Sequence, residues 1–208
     1  MFGITKEEIA VLKKLSTPIK IQDFLDSLPI NHEKKGDTYM SPRMVLKEQK
    51  AHCFEGALLA ALALWMHGEE PLILDLQCDG DMDHVVALYK VNGYFGAISK
   101  TNHATLRFRD PVYKTLRELA LSYFHEYFND DTGKKALRRY STRPFNLKKL
   151  GTEWITSEKN LHYIAQMIDD APHTPLITHA QAKLLRKADA MEHKAASFVE
   201  WETNNPRT

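Results

Sequence analysis

The sequence predicts an α+β fold in a single domain that spans residues 1–208. Three observations predict it: helical hydrophobic spacing toward both ends, one almost wholly apolar helix between them, and short apolar runs joined by a hairpin turn after that helix. With 208 residues and 43% hydrophobic content, the chain is long enough for one substantial core and short for two.

Residues 1–48 are predicted to form N-terminal helices. Thr5, with Glu8 three residues further on, matches a capping box. Thr17-Pro18 and Ser41-Pro42 each place a proline at a first helical position, where its missing N–H costs nothing. Each pattern is followed by apolar residues at helical spacing, so we expect amphipathic helices.

Residues 49–128 are predicted to form the core that carries any chemistry. The segment from Cys53 to His67 is apolar on almost every side, which predicts a helix surrounded by the rest of the fold. Strands follow at 71–76, 84–91 and 94–99, and Asn92-Gly93 between the last two is a strong hairpin signal.

Downstream of these strands the sequence predicts helices again. Asp110-Pro111 has the pattern of an N-cap and first helical residue, for a helix that runs through Phe124. Residues 129–152 are predicted to be a loop. Residues 153–202 are predicted to be C-terminal helices, one near 158–169 and a long one after Thr178.

The charge balance argues against general binding of polyanions, which would need a local basic patch. Lysine plus arginine number 28 against 27 acids, and a formal charge of +1 supplies no general attraction for nucleic acid or an anionic membrane. The longest apolar run, 57–66, is shorter than the about 20 residues that span a bilayer. Two cysteines, Cys53 and Cys78, behind a start without an apolar signal segment are typical of free thiols in a cytoplasmic protein.

Cys53 is the candidate nucleophile. A helix N-terminus presents unpaired amides and the positive end of the macrodipole, which lower the pKa of a thiol. His84 is the candidate base, because a strand packed on the central helix can hold its ring beside the first helical turn. We interpret His52 as a polar capping residue and His103 as the reserve base. The alternative is that Cys53 is an ordinary buried cysteine.

The oxyanion donors are predicted near the same helix start. The backbone amide of Cys53 is one natural donor. The side chain of Gln49 or Lys50, just upstream, is a candidate for the second.

Two segments resemble the transglutaminase-like branch of the papain-like superfamily, including its prokaryotic members. The segment AHCFEGALLAALAL resembles the nucleophile helix of that family, and DHVVALYKVNGYFGAIS resembles its histidine-containing hairpin. The resemblance covers about residues 20–125. It implies a papain-like core, with Cys53 and His84 as nucleophile and base, and an activity that needs no cofactor.

The third member of the triad departs from the family pattern. Counting outward from Asn92-Gly93, His84 faces Thr101 with Ser99 diagonal on the same side, so Ser99 stands where the family's aspartate is expected. A serine hydroxyl can orient an imidazole but brings no charge. Asn102 offers a neutral amide nearby, and Asp110 is a further alternative whose N-cap interpretation is stronger.

Two competing sites also appear in the sequence. Cys78 and His84, with the acidic residues between them, offer metal ligands within a few residues, although no Cys-x-x-Cys pair or EF-hand loop is present; these acids are Asp79, Asp81 and Asp83. Residues 134–149 contain seven basic residues and no acid, interleaved with Tyr140 and Phe145, as in some nucleic-acid-binding segments.

We therefore expect a cysteine hydrolase or acyltransferase that acts on an amide, ester or thioester of an unknown peptide or small molecule. The alternative is a catalytically inactive relative that serves as a binding or scaffold module through the basic segment 134–149. The sequence indicates neither the acyl substrate nor the number of subunits.

Overall fold

The computed structural model describes residues 2–34 and 36–202, and they form a mixed α+β structure. The helices, in chain order, are α1 (Lys6–Lys14), α2 (Pro18–Ser27), α3 (Pro42–Glu48), α4 (Cys53–Met66), α5 (Leu116–Tyr123), α6 (Glu153–Thr156), α7 (His162–Asp169), α8 (His179–Ala182) and α9 (Ala190–Ala196). A 3-10 turn covers Leu147–Leu150. Each of these helices is too short or too polar to cross a bilayer.

The strands form one antiparallel open sheet. They are β1 (Leu72–Cys78), β2 (His84–Val91), β3 (Tyr94–Ile98), β4 (Arg109–Tyr113), β5 (Leu137–Ser141), β6 (Phe145–Asn146) and β7 (His173–Pro175). Their order is β4-β3-β2-β1-β5-β7, and β6 also pairs with β1. The α+β prediction is therefore confirmed.

Both faces of the sheet are covered. Alternate residues of β1, such as Ile73 and Leu74, belong to two separate apolar clusters on opposite faces. One cluster contains α4 and the N-terminal helices, and the other contains α5. Because β1 and β2 are buried on both faces, they are continuous apolar runs instead of alternating ones.

The central helix and the hairpin match their predictions closely. In α4 every residue from Phe54 to Leu64 is buried. β2 and β3 pair with Val91 opposite Tyr94 and Ala87 opposite Ile98, as the Asn92-Gly93 turn predicts. Asn92 and Gly93 both have positive φ, at 51° and 84°, which is the conformation that this turn requires.

The prediction that Asp110-Pro111 opens a helix is wrong. Both residues lie in β4, and α5 begins only at Leu116, where the Thr115 hydroxyl accepts a hydrogen bond from the Glu118 amide at 3.1 Å. Proline is tolerated in β4 because this strand is the edge of the sheet.

Two further predictions fail in the C-terminal third. The stretch 129–152, predicted as a loop, contains β5, β6 and the 3-10 turn, and β5 pairs with β1. The long helix after Thr178 is divided into α8 and α9, and a new capping box begins at Asp189. Leu184 and Met191, on its predicted apolar face, are 84% and 72% exposed, so no core stabilises a continuous helix there.

Candidate active site

Cys53 is the first residue of α4 and is accessible from a cavity. It is half-buried, and it lines a cavity of about 620 Å³. Its Sγ lies 4.0 Å from the carbonyl oxygen of Asp83, the residue before β2. The thiol therefore sits at the junction of α4 and the sheet.

His84 begins β2 and is oriented by Ser99. Its Nε2 lies 2.8 Å from the Ser99 Oγ, and that hydroxyl donates its hydrogen to the Leu106 carbonyl at 2.5 Å. Since the Ser99 hydrogen is used, Ser99 can only accept from His84, and the proton of the neutral ring is on Nε2. The other nitrogen, Nδ1, is left to interact with Cys53.

His52, the residue before Cys53, also interacts with the thiol. It is the N-cap residue of α4 with an extended backbone, so the rule that neighbouring side chains on a helix point apart does not apply to it. Its Nε2 lies 2.9 Å from the Thr38 carbonyl and 3.4 Å from Glu55 Oε1. Burial alone would lower the pKa of His52, but hydrogen bonds with the Cys53 thiol and Glu55 raise it well above its usual value.

Glu55 is a fully buried carboxylate beneath this histidine. It accepts hydrogen bonds from the backbone amides of Met40 and His52, both at 3.0 Å, and from the Thr38 hydroxyl at 2.9 Å. Burial would raise the pKa of Glu55, but His52 and the backbone donors lower it to about 2. Glu55 therefore keeps a negative charge that stabilises a protonated His52.

The two histidines determine the state of the thiol. Burial would raise the pKa of Cys53, but hydrogen bonds with His52 and His84, and the charges of both rings, lower it to about 5. The thiolate is the form that reacts as a nucleophile. The other cysteine, Cys78, has the opposite shift, because burial and nearby aspartates raise its pKa.

The predicted oxyanion side chains lie elsewhere. Gln49 ends α3 and donates from Nε2 to the Leu46 carbonyl at 2.5 Å, on the wall of a different cavity. Lys50 follows it and, like Gln49, is not among the described residues that line the Cys53 cavity. The backbone amide of Cys53, at the start of α4, remains as the predicted donor.

Asn102 and His103 hold the C-terminal segment instead of His84. The Asn102 amide donates to the Trp201 carbonyl at 3.0 Å and accepts from the Trp201 amide at 2.8 Å. His103 Nδ1 lies 2.8 Å from the Ala196 carbonyl. The structure therefore brings together Cys53, His84 and Ser99, and gives Asn102 a different partner.

The ligands of the predicted metal site point in different directions. Asp79 pairs with Arg138 and Arg139, each at 3.4 Å, and Asp81 accepts from the Met82 amide at 2.9 Å. His84 is bound to Ser99. Within the described chain, a different set of carboxylates converges, namely Asp75, Asp83 and Asp169.

The basic residues of 134–149 are largely paired within the protein. Arg138 and Arg139 contact Asp79, Lys135 lies 2.5 Å from Glu192, and Lys148 lies 2.5 Å from Glu70. Their positive charge is therefore compensated at short range, and the segment is part of the sheet and not a free loop. These contacts favour a structural role for it over nucleic-acid binding.

Sequence reasoning missed the roles of His52, Glu55 and Tyr39. One signal was available: Glu55 is the one charged residue in the apolar stretch CFEGALLAALALWM, and a buried carboxylate requires partners. Its position three residues after His52 also matches the glutamate of a capping box. Tyr39 packs edge-on against Phe54, at 5.3 Å between ring centroids, and lines the cavity, which its position in a polar loop did not indicate.

No protein-family model matches this chain, and no curated protein is significantly similar to it.

Proposed function

We propose that this chain is a cysteine-nucleophile hydrolase or acyltransferase with a transglutaminase-like, papain-like core. One observation carries the proposal: a cysteine at the start of a buried helix interacts with two histidines that lower its pKa to about 5, and it lines a cavity. A structural cysteine in an apolar core has its pKa raised, as Cys78 does.

The first half of the reaction forms a thioester. In the resting site the thiol proton has already passed to Nδ1 of His84, and the Cys53 thiolate attacks the acyl carbonyl, so that a carbon–sulfur bond forms and the carbonyl oxygen takes the negative charge. The backbone amide of Cys53 and the protonated ring of His52 are the donors placed to stabilise this oxyanion. The intermediate collapses as His84 returns the proton to the leaving amine, alcohol or thiol.

The second half resolves the thioester. Water or an amine gives a proton to His84 Nδ1 and attacks the same carbonyl carbon. The carbon–sulfur bond breaks, the thiolate is regenerated, and the product is the free acid or a new amide.

His52 and Glu55 supply the charge that an acidic third residue would bring to the site. In the family that the sequence resembles, an aspartate stabilises the imidazolium. Here Ser99 orients His84 without a charge, and the negative charge of Glu55 lies against His52 instead, with Oε1 3.4 Å from the His52 Nε2. The charge that stays beside the sulfur throughout the reaction therefore comes from His52, and His84 carries the proton that moves between the thiol, the leaving group and water.

The proposal is tested by trapping the acyl-enzyme. The protein is incubated with a nitrophenyl ester or an acyl thioester, and the intact mass and peptide map locate any acyl group. We expect an acyl adduct on Cys53 that is lost in Cys53→Ala, and strongly reduced in His84→Ala but not in His103→Ala. Adducts that appear only on lysines, or equally on Cys78, would contradict it.

A further inference from the structure

The cavity that reaches Cys53 has acidic walls. Its lining contains five carboxylates and two histidines, and no lysine or arginine occurs among its described lining residues. The carboxylates are those of Glu33, Asp37, Asp75, Asp83 and Asp169. Such a cavity attracts positively charged groups and repels negative ones.

Three of these carboxylates converge on one point. Asp75, Asp83 and Asp169 each offer one ligand oxygen, and these oxygens lie within 4.8 Å of one another. They come from β1, from the turn before β2 and from the end of α7. The residues are thus distant in sequence and are brought together by the fold.

One oxygen of each carboxylate is already held by the protein. Asp75 Oδ2 lies 3.0 Å from His173 Nε2. Asp83 Oδ1 accepts from the Cys78 amide at 2.6 Å, and Asp169 Oδ1 accepts from Gln77 Nε2 at 3.2 Å. These bonds fix the orientation of the three groups and leave the second oxygen of each for another donor.

The buried side chain of Asp75 is a second indication of a ligand, independent of the convergence of the three carboxylates. Its side chain is almost completely buried, at 2% exposure, yet its Oδ1 has no hydrogen-bond partner among the described residues. A buried carboxylate oxygen without a donor destabilises the fold. Since Asp75 also lines the cavity, a donor that enters the cavity can satisfy it.

The charge of this cluster is only partly compensated. His173 is the one positive side chain described in ion-pair contact with it, and its pKa is raised by Asp75. The pKa of Asp83 is raised to about 6 by burial first, and then by the negative charges of Asp75 and Asp169. A further cation is therefore favoured.

We propose that Asp75, Asp83 and Asp169 form a subsite for a primary ammonium group, so that the protein selects acyl substrates that carry an amine. An ammonium group has three N–H donors, which matches the three converging carboxylates. The same cavity offers apolar walls for an aliphatic stem, at Val85 and Ile168, and leads to the Cys53 thiol. This inference rests on the proposed function, in which Cys53 is the acylated residue.

Matched thiol reagents test the subsite. Aminohexyl methanethiosulfonate and its uncharged hexyl counterpart each form a disulfide with a cysteine thiolate and release methanesulfinate. They differ mainly in the ammonium group. We expect the ammonium reagent to modify Cys53 about tenfold faster, with the preference reduced by added salt. Peptide mapping separates Cys53 from Cys78.

Asp169→Asn is the decisive variant, because Asp169 is exposed and its loss should not prevent folding. We expect it to reduce the preference by threefold or more. Asp170→Asn is the matched control, since Asp170 is the next residue, accepts from Gln166 instead and does not line the cavity. It should keep the full preference.

Three outcomes separate the two proposals. If Cys53 reacts rapidly with both reagents at equal rates, the ammonium subsite is overturned while the nucleophile stands. If Cys53 reacts with neither reagent faster than Cys78 does, the proposed function itself fails. If calcium or magnesium raises the melting temperature of the natural protein but not of Asp169→Asn, and both reagents react alike, the cluster is a metal site and the proposal is overturned.

Discussion

The hydroxyl of Ser99 has a single hydrogen, and the Leu106 carbonyl takes it at 2.5 Å. Ser99 can therefore only accept from His84, which holds the proton on Nε2 and turns Nδ1 toward the thiol. A triad carboxylate both orients the histidine and stabilises its positive charge. The neutral Ser99 side chain provides only the orientation. In the proposed mechanism, His52 and Glu55 provide the charge near the reacting groups.

Ser99→Ala should therefore weaken the base. Without the hydroxyl, the His84 Nε2–H and the Leu106 carbonyl both lose a buried partner, and the ring is free to turn. We expect acyl transfer at neutral pH to fall by about tenfold or more, together with a rise in the pH at which Cys53 reacts.

Ser141→Ala is the matched control for this change. Ser141 is another buried strand serine, whose hydroxyl accepts from the Asp75 amide at 2.9 Å, and it makes no contact with His84. Its loss should cost similar stability and leave the pH profile of Cys53 labelling unchanged. An identical shift of that profile in both variants would mean that Ser99 only stabilises the fold.

At the scale of elements, α4 is organised by its one buried charge. Glu55 ties the loop that contains Thr38 and Met40 to the first turn of the helix through three hydrogen bonds that these residues and His52 donate. The cavity wall and the electrostatics of the thiol therefore depend on the same side chain. The apolar pattern predicted the helix, but it could not show which residues the glutamate would bind.

Glu55→Gln should destabilise the protein by about 3 kcal/mol at neutral pH, because an amide group cannot accept from all of these donors. The pKa of Glu55 is about 2 in the folded state against 4.5 unperturbed, so its stabilising effect is present above pH 4.5 and is lost as the pH falls toward 2. The difference in free energy of unfolding between the two proteins should shrink over that window. Urea titrations at several pH values measure it.

Glu118→Gln is the control for that measurement. Glu118 also occupies the third position of a helix, α5, and accepts from the Lys114 amide at 2.7 Å, but it is exposed. We expect a change within about 0.5 kcal/mol. A Glu55→Gln effect as small as this one would show that the buried network contributes little.

Gly56 marks the place where Lys100 crosses α4. A Cβ at position 56 would lie 2.6 Å from the Cβ of Lys100, whose buried Nζ donates to the Leu28 carbonyl at 2.5 Å. Gly56→Ala should therefore lower the free energy of unfolding by about 1–3 kcal/mol, although alanine is favoured over glycine in helices by about 1 kcal/mol. Stabilisation in a urea titration would show that the Lys100 segment moves aside without cost.

At the scale of the whole molecule, the C-terminal segment is hydrogen-bonded to the chain that follows β3. Asn102 makes both side-chain hydrogen bonds with the Trp201 backbone, and the Ala104 amide donates to the Phe198 carbonyl at 3.0 Å. The backbone hydrogen bonds of this segment to the rest of the fold go to Asn102, His103 and Ala104 and not to His84. These bonds attach the C-terminal segment to the sheet region of the fold.

Asn102→Ala should consequently separate stability from reactivity. We expect the variant to lose about 2 kcal/mol of stability and to be cut faster by proteases near residues 196–202, while the rate of Cys53 labelling stays within twofold of the natural protein. A large fall in the labelling rate with unchanged stability would restore Asn102 as the residue that orients the base.

The sequence predicted correctly those parts of the fold that depend on residues close together in the chain. The Asn92-Gly93 turn fixes the hairpin register, and that register places Ser99 beside His84. The failures have a tertiary origin. Asp110 and Pro111 lie in a strand because β4 pairs with β3, and residues 137–141 form a strand because they pair with β1. Asp75 and Asp169 acquire their roles from residues that only the fold brings together, such as His173 and Gln77.

The central claim is that His52 and His84 hold the Cys53 thiol as a thiolate, and the pH dependence of its alkylation tests this most directly. The rate of iodoacetamide labelling is measured by peptide mass from acid to alkaline pH, with Cys78 as the internal reference. We predict half-maximal reactivity of Cys53 near pH 5, a plateau through neutrality, and a shift to higher pH in His84→Ala. A rate that rises only toward pH 9, in parallel with an ordinary thiol and indifferent to His84, would contradict the account.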